Sequence, residues 1–204
     1  MTDPKSAGHL PADSTTIHTV TAQADRRTSS PTGPERLRFV ELSGRALSAL
    51  KDGDLITASA EAGVALTEYF VTDRARWLWR LRISQLAADP GRARWIARVA
   101  VTLPDDAVVG HAGFHGPPDE AGMVEIAYSV VPEFRRRGYA RGMLVELLRR
   151  AAAEPAVRTV RASISPDNAA SLATIAGYGF VEVGEQWDEQ DGRELIFEVP
   201  AGSA

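Results

Sequence analysis

The chain has 204 residues, 44% of them hydrophobic, and a formal net charge of −4 at pH 7. That length and apolar share suit one domain with a real core, and the acidic balance argues against general affinity for nucleic acid or anionic lipid. With no cysteine, disulfides, thiolate metal sites and a cysteine nucleophile are excluded.

Residues 1–34 are rich in Thr, Ser, Pro and Ala and poor in large apolar side chains. Such a stretch buries too little surface to offset the entropy of ordering it. It reads as a disordered or weakly ordered tail, with Ile17 to Val20 the piece best able to dock. Residues 35–204 read as a single domain. No run suits a membrane span, and the tail lacks the apolar core of a signal peptide, so a cytoplasmic protein without a membrane partner is expected.

"RLRFVEL" (Arg36–Leu42) alternates as a strand does. Helical stretches follow within Gly44–Asp52, Ala58–Phe70 and Thr72–Ala88. In the last, Trp77, Leu78, Leu81, Gln85 and Leu86 recur at helical spacing, and Trp77 and Trp79 cannot share one inward stripe. Arg94–Leu103, Ala107–Gly116 and Gly122–Val131 are strand-like and bounded by turn residues, which predicts an antiparallel meander. A helix opens after Gly138, with Ala140, Met143, Leu144, Leu147, Leu148 and Ala151 as its apolar stripe. Val157–Ser165 is the next strand. Pro166–Gly177 reads as a short helix with proline at its start, and a hairpin around Asp191–Gly192 closes the chain.

"VVPEFRRRGYARGMLVELL" (Val130–Leu148) sets three arginines and a glycine where a strand turns into that helix. Gly138 admits unusual φ there, and the first amides of the helix are donors without intrahelical partners. Three readings compete: a solvated basic turn, a nucleic-acid patch, or a seat for a diphosphate. The nucleic-acid reading is the weakest, because no aromatic platform accompanies the arginines.

Taken together, Arg135-x-x-Gly138-x-Ala140, Asn168-x-x-Ser171 and Gly179-Phe180 resemble the GNAT superfamily of acyl-coenzyme A-dependent N-acyltransferases. The run looks most like the branch that holds the Rim-type N-terminal acetyltransferases. The resemblance is strong over Val108–Gly184, fair for Leu37–Leu103 and absent for the tail. It implies an α/β (α+β) fold: a mixed, mostly antiparallel sheet of about seven strands, helices on both faces, and the fourth and fifth strands splayed. It further implies that main-chain groups of Tyr128, Ser129 and Val130 pair with the pantetheine arm of acetyl-CoA. Amides of Arg136, Arg137, Gly138, Tyr139, Ala140 and Arg141 would bind the pyrophosphate, and Asn168 would hold the pantetheine region. Acetyl-CoA is then the co-substrate, with no metal and no nucleic-acid partner. The acceptor would be an amine-bearing small molecule or a protein N-terminus, and a homodimer is allowed for.

Acyl transfer needs a neutral amine. An amine of pKa near 10.4 costs roughly 4.6 kcal/mol to deprotonate at pH 7, an α-amino group only about 1 kcal/mol. Glu125 is the candidate base, because "EIAYSVV" resembles the strand that carries a catalytic glutamate in histone-type relatives. Alternation puts Glu125 on the face opposite Ile126 and Tyr128. A carboxylate beside an ammonium raises the amine's pKa, so Glu125 would accept or relay the proton through water. Its bland alternative is an ordinary strand carboxylate.

Where some relatives carry a tyrosine acid this chain has Ile175, and where others carry a fifth-strand glutamate it has Ser163. Ser171 matches a serine proposed as the thiolate's donor in the Rim-type branch, and stands level with there being no dedicated acid. His111 and His115, about 13 Å apart at i, i+4 on a strand, are expected to be structural or peripheral. Between Glu182 and Glu198 seven acids face only Arg193, a local excess of six negative charges for a cationic amine or for solvent. A non-catalytic acyl-CoA-binding or sensor module is the alternative function.

Overall fold

A computed structural model describes residues 37–202; the expectations for the 1–34 tail, including Ile17 to Val20, lie outside the described residues. The strands are β1 (Leu37–Glu41), β2 (Arg98–Thr102), β3 (Val108–Phe114), β4 (Met123–Val130), β5 (Thr159–Ile164), β6 (Val181–Asp188) and β7 (Gly192–Pro200). The helices are α1 (Gly44–Asp52), α2 (Leu55–Ala62), α3 (Asp73–Ala88), α4 (Tyr139–Ala152) and α5 (Ala169–Ile175). The described strands form one seven-stranded sheet in the order β1-β2-β3-β4-β5-β7-β6, antiparallel except for β4 and β5.

Local chemistry sets most boundaries. Ser43 caps α1 by accepting from the Ala46 amide at 3.0 Å, and Gly53 ends it at φ +86°. Asp54 caps α2 in the same way. The helix expected over Ala58–Phe70 is corrected: α2 starts earlier and stops at Gly63 (φ +67°), and a separate 3-10 turn covers Glu68–Val71. On α3 the buried residues are Ala75, Trp79 and Arg82. Trp77 and Leu81, on the expected stripe, stay 39% and 38% exposed. Trp79 wins because its ring stacks on Phe70 and its indole N–H donates to the Phe70 carbonyl at 2.7 Å, so the polar atom is satisfied inside. The proline expected at the start of α5 lies before it, and Asn168 is the cap.

The two faces are covered separately. A Cβ on Gly110 would meet Met143 of α4, while the next residue, His111, packs on Phe70 and Trp79. Successive residues of a strand point to opposite faces, so α4 lies on one face and the α3 layer on the other. Met143, Leu144, Leu147, Leu148 and Ala151 bury the stripe expected of α4.

β4 and β5 part company. They pair only through Met123↔Thr159, Val124↔Val160 and Glu125↔Arg161. Beyond that point β4 stays with β3 as far as Gly110↔Val130, and β5 stays with β7 as far as Ile164↔Leu195. A wedge therefore opens in the middle of the sheet.

Candidate active site

The wedge leads into a cavity of about 1040 Å³ walled by the free ends of β4 and β5, by α3, by α5 and by the β6–β7 hairpin. That is at the upper end of volumes that enclose a drug-sized ligand, roughly 300–1,000 Å³.

Below it, residues 132–138 turn β4 into α4. Arg136 (φ +62°) and Gly138 (φ +88°) both take left-handed conformations, and the first bond into the helix is Gly142 N–H to Gly138 O at 3.0 Å. Among the described residues no main-chain acceptor takes the amides of Arg136, Arg137, Gly138, Ala140 or Arg141, and no side chain caps the helix. Nothing lies within 4 Å of the Cβ position of Gly138, so the bend is open. Phe134 braces it, with the Tyr139 ring edge-on at 5.8 Å and the Arg137 guanidinium above it at 5.5 Å. Amides without main-chain acceptors at a helix start suit a diphosphate.

The Val130 carbonyl accepts from Arg135 Nε at 3.2 Å, and the Ser129 side-chain hydroxyl pairs with the Tyr69 hydroxyl. The Asn168 side-chain oxygen accepts from the Ser171 amide at 3.1 Å, which leaves its amide nitrogen for a ligand. Burial pushes the Tyr128 phenol pKa up, against the nearby Thr174 and Ser171 hydroxyls, which lower it.

Glu125 faces the α3 side of the cavity. His115 Nδ1 lies 3.6 Å from Glu125 Oε2, and the His115 amide donates to the Glu125 carbonyl at 2.8 Å. Burial and Arg82 lower the His115 pKa, while Glu125 and Asp188 raise it; burial wins. Arg82 itself is 6% exposed, and burial pushes its pKa down to about 10. It donates to Gln85 Oε1 at 2.8 Å and to the His115 carbonyl at 3.3 Å.

His111 fulfils its structural expectation. It stacks with Tyr69 and meets Phe70 and Trp79 edge-on, and burial, then Arg82 and Arg74, push its pKa down to about 4. His115 lies beside the candidate base. The signal missed was the register of β3 against β4, which alternation alone does not set. Arg82 was missed because an arginine on a helix is ordinarily solvated.

The excess of six acids at the hairpin is also corrected. Arg74 binds both carboxylate oxygens of Asp191 at 3.0 and 2.9 Å, Arg161 binds Glu198 at 2.6 Å, and Arg193 binds Glu185 at 2.7 Å. Two of these bases come from outside the segment. Glu194 keeps an unneutralised setting: burial raises its pKa, and Asp188, Glu125 and Asp191 raise it further, against a hydrogen bond from Gln186. Trp77 and the 78%-exposed Trp187 flank the same mouth.

A sheet opened between two parallel strands, with a ring of amides at the following helix, defines an acyl-CoA-type transferase site. Residues 47–181 match the family model described as an acetyltransferase (GNAT) domain. The chain belongs to the GNAT acetyltransferase family, whose members are acetyl-CoA-dependent enzymes.

A stretch of 74 residues, 36% of the chain, is 35% identical to the uncharacterized N-acetyltransferase YjdG of Bacillus subtilis (strain 168), and the match spans 44% of that protein. Mycobacterium smegmatis RimJ in complex with CoA-disulfide is similar in fold, with TM-score 0.55 and 19% identity over 83% of this chain and 86% of that one. A mutant form of the spermidine N-acetyltransferase SpeG from Vibrio cholerae gives TM-score 0.56 and 14% identity over 81% and 94%. Among the described residues no helix is long and apolar enough to cross a membrane, and no group of three or more His, Cys, Asp or Glu is placed to hold a metal.

Proposed function

We propose that the protein transfers an acetyl group from acetyl-CoA to a primary amine, by direct attack of the amine on the thioester. The observation that carries this reading is the set of amides without main-chain acceptors, those of Arg136, Arg137, Gly138, Ala140 and Arg141, beside the parted ends of β4 and β5. Amides of Arg136, Arg137, Gly138, Tyr139, Ala140 and Arg141 bind the diphosphate. Main-chain groups of Tyr128, Ser129 and Val130, with Asn168, hold the pantetheine arm, and acetyl-CoA supplies the activated acyl group. The RimJ complex with CoA-disulfide is consistent with this use of the fold.

Glu125 takes the proton of the attacking ammonium through water, and His115 passes it towards solvent. A neutral His115 at pH 7 has room for that proton, since burial holds its pKa below 6.5. Ser171, on α5, lines the same cavity and donates to the leaving thiolate. The acceptor is a cationic small molecule or a protein N-terminus. Glu194 and Asp188 favour its positive charge, and a structural neighbour named for spermidine fits the same chemistry. The cytoplasm, where acetyl-CoA is at hand, is the proposed location. The sensor-module alternative is disfavoured because Glu125 faces a histidine rather than an arginine clamp, and the cavity is open.

The test is calorimetric titration with CoA followed by a thiol-release assay over a panel of amines. Micromolar CoA binding with amine-dependent thiol release is expected. Failure to bind CoA at millimolar concentration removes the reading; binding without release by any amine turns it into the sensor module.

A further inference from the structure

Arg82 is a buried cation that lacks a counter-ion among the described residues. Burial lowers its pKa to about 10, so it stays charged at neutral pH. Arg98 is as deeply buried but has Glu41 at 3.1 Å, and Arg74, which lines the cavity with Arg82, is held by Asp191. Both bonds that Arg82 makes, to Gln85 Oε1 at 2.8 Å and to the His115 carbonyl at 3.3 Å, come from one nitrogen, Nη1. Two neutral acceptors are weak compensation for a buried full charge. Nε and Nη2 have no partner among the described residues and are not sealed from solvent. The cavity is the space that Arg82 lines.

The guanidinium lies near the candidate base. Arg82 holds the carbonyl of His115, whose amide donates to the Glu125 carbonyl at 2.8 Å. Residues opposite each other on antiparallel strands stand about 4.5–5.5 Å apart at Cα, and His115 Nδ1 is 3.6 Å from Glu125 Oε2. A cation and a carboxylate thus front one cavity within the span of a small molecule, unpaired with each other. That arrangement complements a molecule that carries both a carboxylate and an ammonium. A polyamine would set positive charge against Arg82, and the chain behind a peptide's N-terminus would offer it only a neutral oxygen.

We propose that Arg82 binds the carboxylate of the acetyl acceptor, which makes that acceptor a free amino acid with its amine directed to Glu125. The proposal rests on the acetyl-transfer reading and narrows its acceptor. The planar guanidinium takes the two carboxylate oxygens through Nε and Nη2. A carboxylate beside an ammonium raises the amine's pKa; pairing it with Arg82 cancels part of that rise, so the group that recognises the acid also eases deprotonation. In the step, the nitrogen–carbon bond forms and the carbon–sulfur bond breaks. The ammonium acid and acetyl-CoA become N-acetyl acid, free thiol and one proton, which leaves by Glu125 and His115.

The test is thiol release by the wild-type chain over the common amino acids, the carboxamide of each acid that reacts, spermidine and a short peptide. At least one free amino acid is expected to exceed its own carboxamide about 100-fold in kcat/KM. In Arg82→Gln that ratio should fall below about ten-fold, chiefly through a higher KM for the acid. The CoA dissociation constant and Tm should stay near wild type. Equal losses on acid and carboxamide would make Arg82 a mere brace for Gln85 and the His115 carbonyl, and overturn the proposal. A wild type that prefers spermidine, the peptide or the carboxamide overturns it too, needs no variant, and leaves acetyl transfer standing. CoA binding without thiol release from any amine defeats the acetyl-transfer reading itself, and this proposal with it.

Discussion

The main-chain oxygen of Ser129 occupies the space where residue 110 would carry a side chain: a Cβ on Gly110 would lie 2.0 Å from it and 2.7 Å from Met143 Cε. The close approach ties the far end of β4 to β3 while β5 leaves with β7. Gly110→Ala must push a backbone group aside rather than a flexible tip. The expected cost is about 3 kcal/mol or more, read by urea unfolding, with CoA affinity lost in step because β4 shifts. A variant within about 0.5 kcal/mol of wild type would mean that β4 yields freely here.

Glu125→Gln keeps the shape of the side chain and removes its basicity. It should lower kcat by about 100-fold while CoA affinity, measured by titration, changes less than two-fold or so, because the predicted coenzyme contacts lie elsewhere. Unaltered turnover would take Glu125 out of the reaction.

Gly138→Ala meets no neighbour within 4 Å, so its penalty comes from the backbone at φ +88°. About 1–2 kcal/mol of strain is expected. The amide ring is displaced with it, so the CoA dissociation constant should rise more than ten-fold, against only a few degrees of Tm. Equal binding by mutant and wild type would place the diphosphate elsewhere.

His111 gives a pH signature. Its folded pKa, about 4, is below the usual 6.5, so the unfolded chain binds more protons between those values. Stability from this group is complete above pH 6.5 and is lost as pH falls towards about 4. The loss amounts to about 3 kcal/mol. Arg82 and Arg74 contribute to the lowering, and other acids titrate in the same range, so the difference between proteins is what counts. His111→Phe should flatten the fall in Tm between pH 6.5 and 4.5 relative to wild type; parallel curves would show that His111 does not titrate there.

Features written locally were legible in the sequence. Gly138 and the apolar stripe of α4 depend on a few adjacent residues, and each forms as the pattern required; the closing hairpin forms too, but it turns through residues 189–191, with Gly192 already paired to Asp188. Contacts made at long range were not. Arg74 reaches Asp191 across 117 positions and Arg161 reaches Glu198 across 37, so counting charges within the hairpin overstated its field. The expected α3 stripe failed because burial there was decided by Phe70 and His111, not by helical period. His115 could be matched to Glu125 only once β3 and β4 were in register.

The sheet is two plates joined by a seam of three residue pairs, from Met123↔Thr159 to Glu125↔Arg161. Each plate keeps its own antiparallel ladder, β1 to β4 on one side and β5, β7 and β6 on the other. Opening or narrowing the gap therefore flexes one short hinge and leaves both ladders whole. A bulky donor can thread the fold at the cost of a bend, and the slower, cooperative loss of either plate is not required.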